Sequence, residues 1–357
     1  MEQFETEIYL RYKQIIESQY VGEQTNVFSN LTCHSRLRPG TSLEQMSSKK
    51  EPKATGRNQD ESPSWRTRSA ICMKPCQVRM ADLLDRYDAF CFDGYGTLYN
   101  RGSFVYPGAM EWFQMLRCAK KQIRLVTNAA SDVDEVLARD ADKRGFDFST
   151  EETISSGSLL KDLCAELRSR GLKLREVYYI GRETGKHVLE ACGITAVAMD
   201  AEPAEPIVAI SSAKDTPETY AQAVKILQKP GAILLVLNSD AWAPKIPDEN
   251  GVTLREPVSG ALSERLRRAS MCAENRGEGC ETYYLGKPFP QIWNKVKASL
   301  PQNARVLMIG DTLGTDVFGA QVAGFDSALV VGRNVPAAEL SIDEAALGIR
   351  PDYYLEP

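Results

Sequence analysis

Residues 87–102 read YDAFCFDGYGTLYNRG. Ala89–Phe92 is a short apolar run, the pattern of a strand buried on both faces. It ends in Asp93, and the chain then turns through Gly94, Tyr95, Gly96 and Thr97. A buried strand that delivers a carboxylate into a glycine-bearing turn is a candidate active-site loop. Taken alone it is weak evidence, because a strand-end Asp more often caps a turn than carries chemistry.

The residues that follow repeat the strand–helix alternation. GAMEWFQMLRCAKK (108–121) reads as a helix with Met110, Phe113, Met115 and Leu116 near one side. IRLVTN (123–128), VYYIG (177–181), ITAVAMD (194–200), PIVAISS (206–212), AILLVLNSD (232–240), TYYLGK (282–287), RVLMIGD (305–311) and SALVVG (327–332) read as strands, with helical segments between them. This order predicts a doubly wound α/β fold, a Rossmann-like parallel sheet covered on both faces. Functional groups in such sheets sit at the carboxyl ends of the strands. The 357 residues are enough for two domains.

Residues 1–79 have a different character. Phe4, Ile8, Tyr9, Tyr12, Ile15 and Ile16 lie near helical spacing within residues 3–20. RLRPGTSLEQMSSKKEPKATGRNQDESPSWRTRS (36–69) is polar and too poor in large apolar residues to build a core. Residues 1–79 are therefore expected to be a largely disordered extension, with the folded unit starting near Met80.

Composition excludes several function classes. The net charge of −5 lacks the basic excess of a nucleic-acid binder. No apolar run approaches the ~20 residues that span a bilayer, and the start MEQFETEIYLRYKQ lacks the apolar core of a secretory signal. Nine scattered cysteines without a CxxC pair read as reduced thiols of a cytoplasmic protein. Two histidines make a histidine-rich zinc site unattractive.

Four strand ends carry chemistry-bearing residues in order: Asp93; Thr127 with Asn128; Lys287; and Asp311 followed by Thr315 and Asp316. Together they resemble the four motifs of the haloacid dehalogenase-like (HAD) hydrolase superfamily over about residues 82–335. The resemblance implies that Asp93 attacks phosphorus and forms an aspartyl-phosphate, splitting one hard displacement into two easier ones. It implies Mg²⁺ as cofactor, held by Asp93, the main-chain carbonyl of Tyr95 and Asp311, with Asp316 completing the acidic site as an orienting group. Lys287 would offset the remaining charge and Thr127 would hydrogen-bond a phosphoryl oxygen. The glycines beside Tyr95, Gly94 among them, would let backbone N–H groups approach the substrate anion.

Spacing locates an insertion. Only 34 positions separate Asp93 from Thr127, but 160 separate Thr127 from Lys287. The expected organisation is a core over 80–154, an α/β cap over 155–283 and the rest of the core over 284–357. VYYIGRETGKHVLEACGI, ILLVLNSDAWAP and GKPFPQIWNKV resemble subfamily IIA, the nitrophenyl-phosphatase-like enzymes. That subfamily implies a small phosphorylated metabolite as substrate and a homodimer formed through the cap. Its second motif often reads TNN where this chain has TNAAS. In the cap, LNSDAWAP is the candidate substrate loop, with Asn238, Asp240 and Trp242; a packed strand-end turn explains it equally well. Asn128 completes the candidate substrate-binding set.

Tyr95 departs from the family's phosphatases, which place an acid/base Asp two residues after the nucleophile. A phenol ionises near pH 10 and is a poor general base at neutral pH. Breakdown of the aspartyl-phosphate is therefore expected to be slow relative to its formation. Three readings stay open: a Mg²⁺-dependent phosphatase, a haloacid dehalogenase, which shares Asp-x-Tyr-Gly-Thr, and a non-enzymatic binding protein on the same scaffold. The acid at the start of the fourth motif and the position of the cap favour the phosphatase. A dead site has no reason to keep a cluster of like charges that only a cation holds together.

Overall fold

A computed structural model describes residues 11–12, 75–249, 251, 253–271, 279–334, 337 and 340–356. Its strands are β1 (Cys76–Val78), β2 (Ala89–Phe92), β3 (Gln122–Thr127), β4 (Thr153–Ser155), β5 (Glu176–Ile180), β6 (Thr195–Ala196), β7 (Ile207–Ile210), β8 (Ile233–Val236), β9 (Trp242–Pro244), β10 (Arg255–Pro257), β11 (Glu281–Tyr284), β12 (Val306–Gly310), β13 (Asp326–Val330) and β14 (Tyr353–Leu355). The α-helices are α1 (Ala109–Cys118), α2 (Asp134–Asp142), α3 (Leu160–Ser169), α4 (Lys186–Glu190), α5 (Pro217–Leu227), α6 (Ser259–Ala269), α7 (Pro290–Ala298), α8 (Phe318–Ala323) and α9 (Leu340–Leu347).

The core sheet runs β1-β14-β13-β12-β2-β3-β4, with every pair parallel. β2 is buried along its whole length and sits between β12 and β3, with Phe92 opposite both Ile309 and Leu125. That register brings Asp93, Asp311 and Thr127 out side by side at the carboxyl edge. Helix α1 buries Ala109, Trp112, Phe113 and Leu116, a stripe at i, i+3, i+4 and i+7. Met110 and Met115, expected on that face, flank it half-buried.

The second sheet, β11-β8-β7-β5-β6, is also parallel and lies wholly within residues 176–284. The antiparallel pair β9–β10 projects from it, and the Pro244 carbonyl accepts a 3.0 Å hydrogen bond from Asn100 in the core. The two sheets share one apolar cluster: Tyr178, Ile210, Val236 and Tyr284 pack with Leu313, Val317, Phe318 and Leu329. The cap is thus seated on the core through buried apolar surface. Among the described residues no helix is long and apolar enough to cross a membrane.

Two features put packed residues upstream of Met80. β1 pairs with β14 at the sheet edge. Tyr12 is buried in the shared cluster, edge-on to Tyr284 and Phe289, and its hydroxyl donates to the Ser239 carbonyl, while Arg11 donates to the Leu347 carbonyl. Residues 11–12 are helical; the rest of the proposed helix over 3–20, and the expectation of disorder over 36–69, lie outside the described residues. Losing a buried aromatic costs about 3–5 kcal/mol. At about 2–4 °C per kcal/mol, a chain starting at Met80 should melt at least ~5 °C below the full chain. Differential scanning calorimetry on the two checks this, and coincident midpoints would show that Tyr12 and β1 add nothing.

Candidate active site

Beyond β2 the backbone closes a tight turn in which the Gly94 carbonyl accepts the amides of Thr97, Leu98 and Tyr99 at 3.3, 3.0 and 3.1 Å. Gly96 has φ +99°, and a Cβ there would lie 2.0 Å from Asp311 Oδ2. Only glycine fits that backbone and that contact. The turn is thereby pressed against the end of β12, and Asp93 is set beside Asp311. Tyr95 is half-buried, with its ring edge-on to Tyr99 at a centroid distance of 5.2 Å.

Lys287, which follows the last strand of the cap, reaches down between two acids. Its Nζ donates to Asp93 Oδ1 at 2.6 Å and to Asp316 Oδ1 at 2.7 Å. The other Asp316 oxygen accepts the backbone amides of Asp311 and Thr312 at 3.1 and 3.0 Å. Asp311 accepts from the Thr312 hydroxyl at 3.1 Å and from the Asn334 amide at 3.2 Å. All four charged side chains are buried.

Three buried carboxylates face one ammonium. Burial pushes the Asp93 carboxyl upward against the opposing pull of Lys287, with Asp316 adding to the rise. Burial, then the Asp93 and Asp316 charges, hold Asp311 well above the usual carboxylate range. Burial pulls Lys287 down, but the charges of Asp316, Asp93 and Asp240 more than offset it, and its net shift is upward. Carboxylate oxygens of Asp93, Asp311 and Asp316 lie within 4.8 Å of one another. This excess of negative charge, built from hard oxygen donors, fits a divalent cation such as Mg²⁺. Asp316 is already committed to Lys287 and two amides, so Asp93 and Asp311 are the natural direct ligands.

Asn128 ties the core to the cap loop. Its Nδ2 donates to Asp240 Oδ1 at 2.8 Å, the Lys287 carbonyl at 3.0 Å and Ser239 Oγ at 3.2 Å, and its Oδ1 accepts the Lys287 amide at 2.6 Å. Burial raises the Asp240 carboxyl to about 6 despite Lys287 and the Asn128 bond. Thr127 Oγ1 accepts the Ala129 amide at 3.1 Å, and Asn238 Oδ1 accepts the Asp240 amide at 2.8 Å.

Asp93, Tyr95, Thr127, Lys287, Asp311, Asp316, Asn238, Asp240 and Trp242 line one cleft of about 370 Å³. Gly94 and Asn128 are buried and shape it through the hydrogen bonds described. Trp242 does both things its sequence allowed: it lines the cleft and packs on the shared apolar cluster. Sequence reading did not single out Asn100, Arg101, Arg144, Arg182 or Asn334, which also line it. They lie on turns and helix ends with no motif of their own; Asn100, Arg101, Arg144 and Asn334 come from the core, and Arg182 from the cap.

Residues 90–195 match the family described as haloacid dehalogenase-like hydrolase, and residues 284–356 match a second, described as HAD-hydrolase-like. The 4-nitrophenylphosphatase of Schizosaccharomyces pombe is 26% identical over 301 residues, which cover 77% of this chain and 93% of that protein. Among solved structures, one described as a possible sugar phosphatase from Cytophaga hutchinsonii superposes with a TM-score of 0.65 at 23% identity, covering 78% of this chain and 97% of that one. A glycerol phosphate phosphatase from Mycobacterium tuberculosis, solved in complex with magnesium, gives a TM-score of 0.56 at 24% identity, with 80% and 77% covered.

Proposed function

Because the chain belongs to the haloacid dehalogenase-like hydrolases, in subfamily IIA with the nitrophenylphosphatases, we propose that it is a Mg²⁺-dependent phosphatase of small phosphate esters with Asp93 as nucleophile. The observation that carries this reading is the buried Asp93–Lys287–Asp316 bridge beside Asp311.

When bound by Asp93, Asp311 and the Tyr95 carbonyl, Mg²⁺ would neutralise charge on the phosphoryl oxygens and let an anionic nucleophile meet an anionic substrate. The Lys287 ammonium holds Asp93 in position and supplies a second positive charge at the phosphoryl group. An Asp93 oxygen attacks phosphorus; the P–O bond to the alcohol breaks as the P–O bond to Asp93 forms, and the leaving oxygen takes a proton from solvent to depart as the alcohol. Thr127 offers its hydroxyl to a phosphoryl oxygen. In the second step water attacks the aspartyl-phosphate, the P–O bond to Asp93 breaks, and inorganic phosphate leaves with the carboxylate regenerated. Asp316 keeps Lys287 aimed throughout. Asn128 and Ser239 hold the Lys287 backbone, so the cap loop and the cation are set together. The thiols at Cys76, Cys91, Cys118, Cys164, Cys192 and Cys280 suit a reducing compartment, and we place the protein in the cytoplasm.

The test is release of inorganic phosphate from 4-nitrophenyl phosphate and glycerol 3-phosphate by the full chain with Mg²⁺. Hydrolysis of at least one is expected, and inertness toward both at saturating Mg²⁺ would overturn the reading. Tyr95 sets the second step. Its phenol is a weak base, and a well-placed general base contributes about 10²–10⁴-fold. Tyr95→Asp should raise steady-state turnover by at least ~10-fold, because the Tyr95 ring is only half-buried and its loss leaves Tyr99 packed on Phe146. A folded, Mg²⁺-binding variant that is slower on every ester would show that the phenol itself assists the reaction.

A further inference from the structure

We propose that the substrate carries a second anionic group, a carboxylate or a further phosphate, on its alcohol portion, and that Arg144 and Arg182 hold it. This rests on the phosphatase reading and specifies the substrate class within it.

Four cations line the cleft: Lys287, Arg101, Arg144 and Arg182. Lys287 is committed to Asp93 and Asp316, and Arg101 pairs with Glu256 on β10. Arg144 and Arg182 have no carboxylate partner among the described residues. Two further acids that line the cleft are engaged elsewhere: Asp140 pairs with Lys143 at 2.8 Å, and Asp240 is held by Asn128.

Arg144 comes from the core and is built into place. Its guanidinium stacks over the Tyr99 ring, 4.9 Å from the centroid, and Tyr99 in turn meets Tyr95 edge-on. One terminal nitrogen donates to the Asp140 carbonyl, while Nε is buried with no hydrogen-bond partner among the described residues. Arg182 comes from the cap, in the turn after β5. Thr184 pins that turn to the core by donating to the Ser131 carbonyl at 2.6 Å, four residues past Thr127. One guanidinium thus comes from the core and one from the cap, lining the same cleft as the buried Lys287 and its acidic cluster.

Two guanidinia beyond the charge held by Lys287 match a substrate with two anionic groups. The phosphoryl group to be transferred needs Lys287, Thr127 and the cation site. A guanidinium is a planar double donor that pairs best with a carboxylate or phosphate. An ester whose far end is a carboxylate or phosphate satisfies it. A neutral alcohol leaves both guanidinia to water.

The test compares kcat/KM for two matched pairs with Mg²⁺: 3-phosphoglycerate against glycerol 3-phosphate, and fructose 1,6-bisphosphate against fructose 6-phosphate. In the first pair a carboxylate replaces a hydroxymethyl group; in the second an additional phosphate is present. The doubly anionic member of at least one pair should be favoured by about tenfold to hundredfold, the range of charge-assisted hydrogen bonds. The pair that responds tells carboxylate from phosphate. In Arg144→Gln/Arg182→Gln the favoured ratio should fall to within about threefold of unity, with Arg182→Gln alone, on an exposed side chain, giving a partial fall. Absence of discrimination in both pairs, or a preference that survives the double variant, would overturn the inference while 4-nitrophenyl phosphate is still hydrolysed. If that ester too is inert, the phosphatase reading has failed and this inference goes with it.

Discussion

Asp93→Asn is expected to abolish phosphate-ester turnover, by at least ~10⁴-fold, while leaving the fold intact; loss of a nucleophile elsewhere costs up to about 10⁶-fold. Asparagine keeps the shape of the side chain and can still accept from Lys287 Nζ through its amide oxygen, so the 2.6 Å contact has a successor. The substitution also removes one of three buried negative charges. The metal-free variant should therefore melt no lower than the parent, since burial and the Asp316 charge both oppose ionisation of Asp93. Steady-state assays with far-UV circular dichroism melts check both halves. Turnover above a tenth of the parent's would remove Asp93 from the role of nucleophile.

Removal of the cation should be nearly as damaging. With EDTA the acidic cluster keeps only Lys287 as counter-charge, and the phosphoryl group meets three carboxylates. Hydrolysis should fall to background and return with excess Mg²⁺. A ligand at 100 times its Kd stabilises the folded state by about 2.7 kcal/mol, so Mg²⁺ should raise the melting temperature by about 5–10 °C. Asp311→Asn should abolish that shift, because the ion loses a hard anionic ligand whose neighbourhood opposes its ionisation unless a cation is bound. Release of chloride from 2-chloropropionate in EDTA would replace this account with the dehalogenase reading that Asp-x-Tyr-Gly-Thr leaves open.

The parts of the fold most legible in the sequence are those where burial on both faces leaves a continuous apolar run. Ala89–Phe92, Ile207–Ile210, Ile233–Val236 and Val306–Gly310 are each buried along their length. The edges are less legible. ITAVAMD contributes only β6, because it borders the cap sheet, where Met199 is 72% exposed. β1, β4 and β14 are three-residue strands with too little pattern to detect. Tyr12 lies far upstream of the core and acquires its burial from Tyr284 and Phe289. The same distinction holds in the site. Asp93, Thr127 and Asp311 end adjacent core strands, so their convergence follows from topology, whereas Lys287 follows β11 of the cap sheet and meets them because the cap docks. Asn128 is expected from its motif to bind substrate, and only the cap's approach reveals it as the group that fastens Lys287 and Asp240 together. Arg144 and Arg182 are charged letters in turns, indistinguishable in sequence from solvated surface.

The most direct test of Asp93 as the attacking group is chemical. The protein is mixed with a ³²P-labelled ester and Mg²⁺, quenched in acid within the first turnovers, digested, and the labelled peptide sequenced by mass spectrometry. Because Tyr95 should slow breakdown more than formation, label is expected on the peptide that contains Asp93, near one equivalent per chain, and absent with EDTA. Rapid hydrolysis with no acid-stable label on that peptide, or label on another residue, would contradict the account.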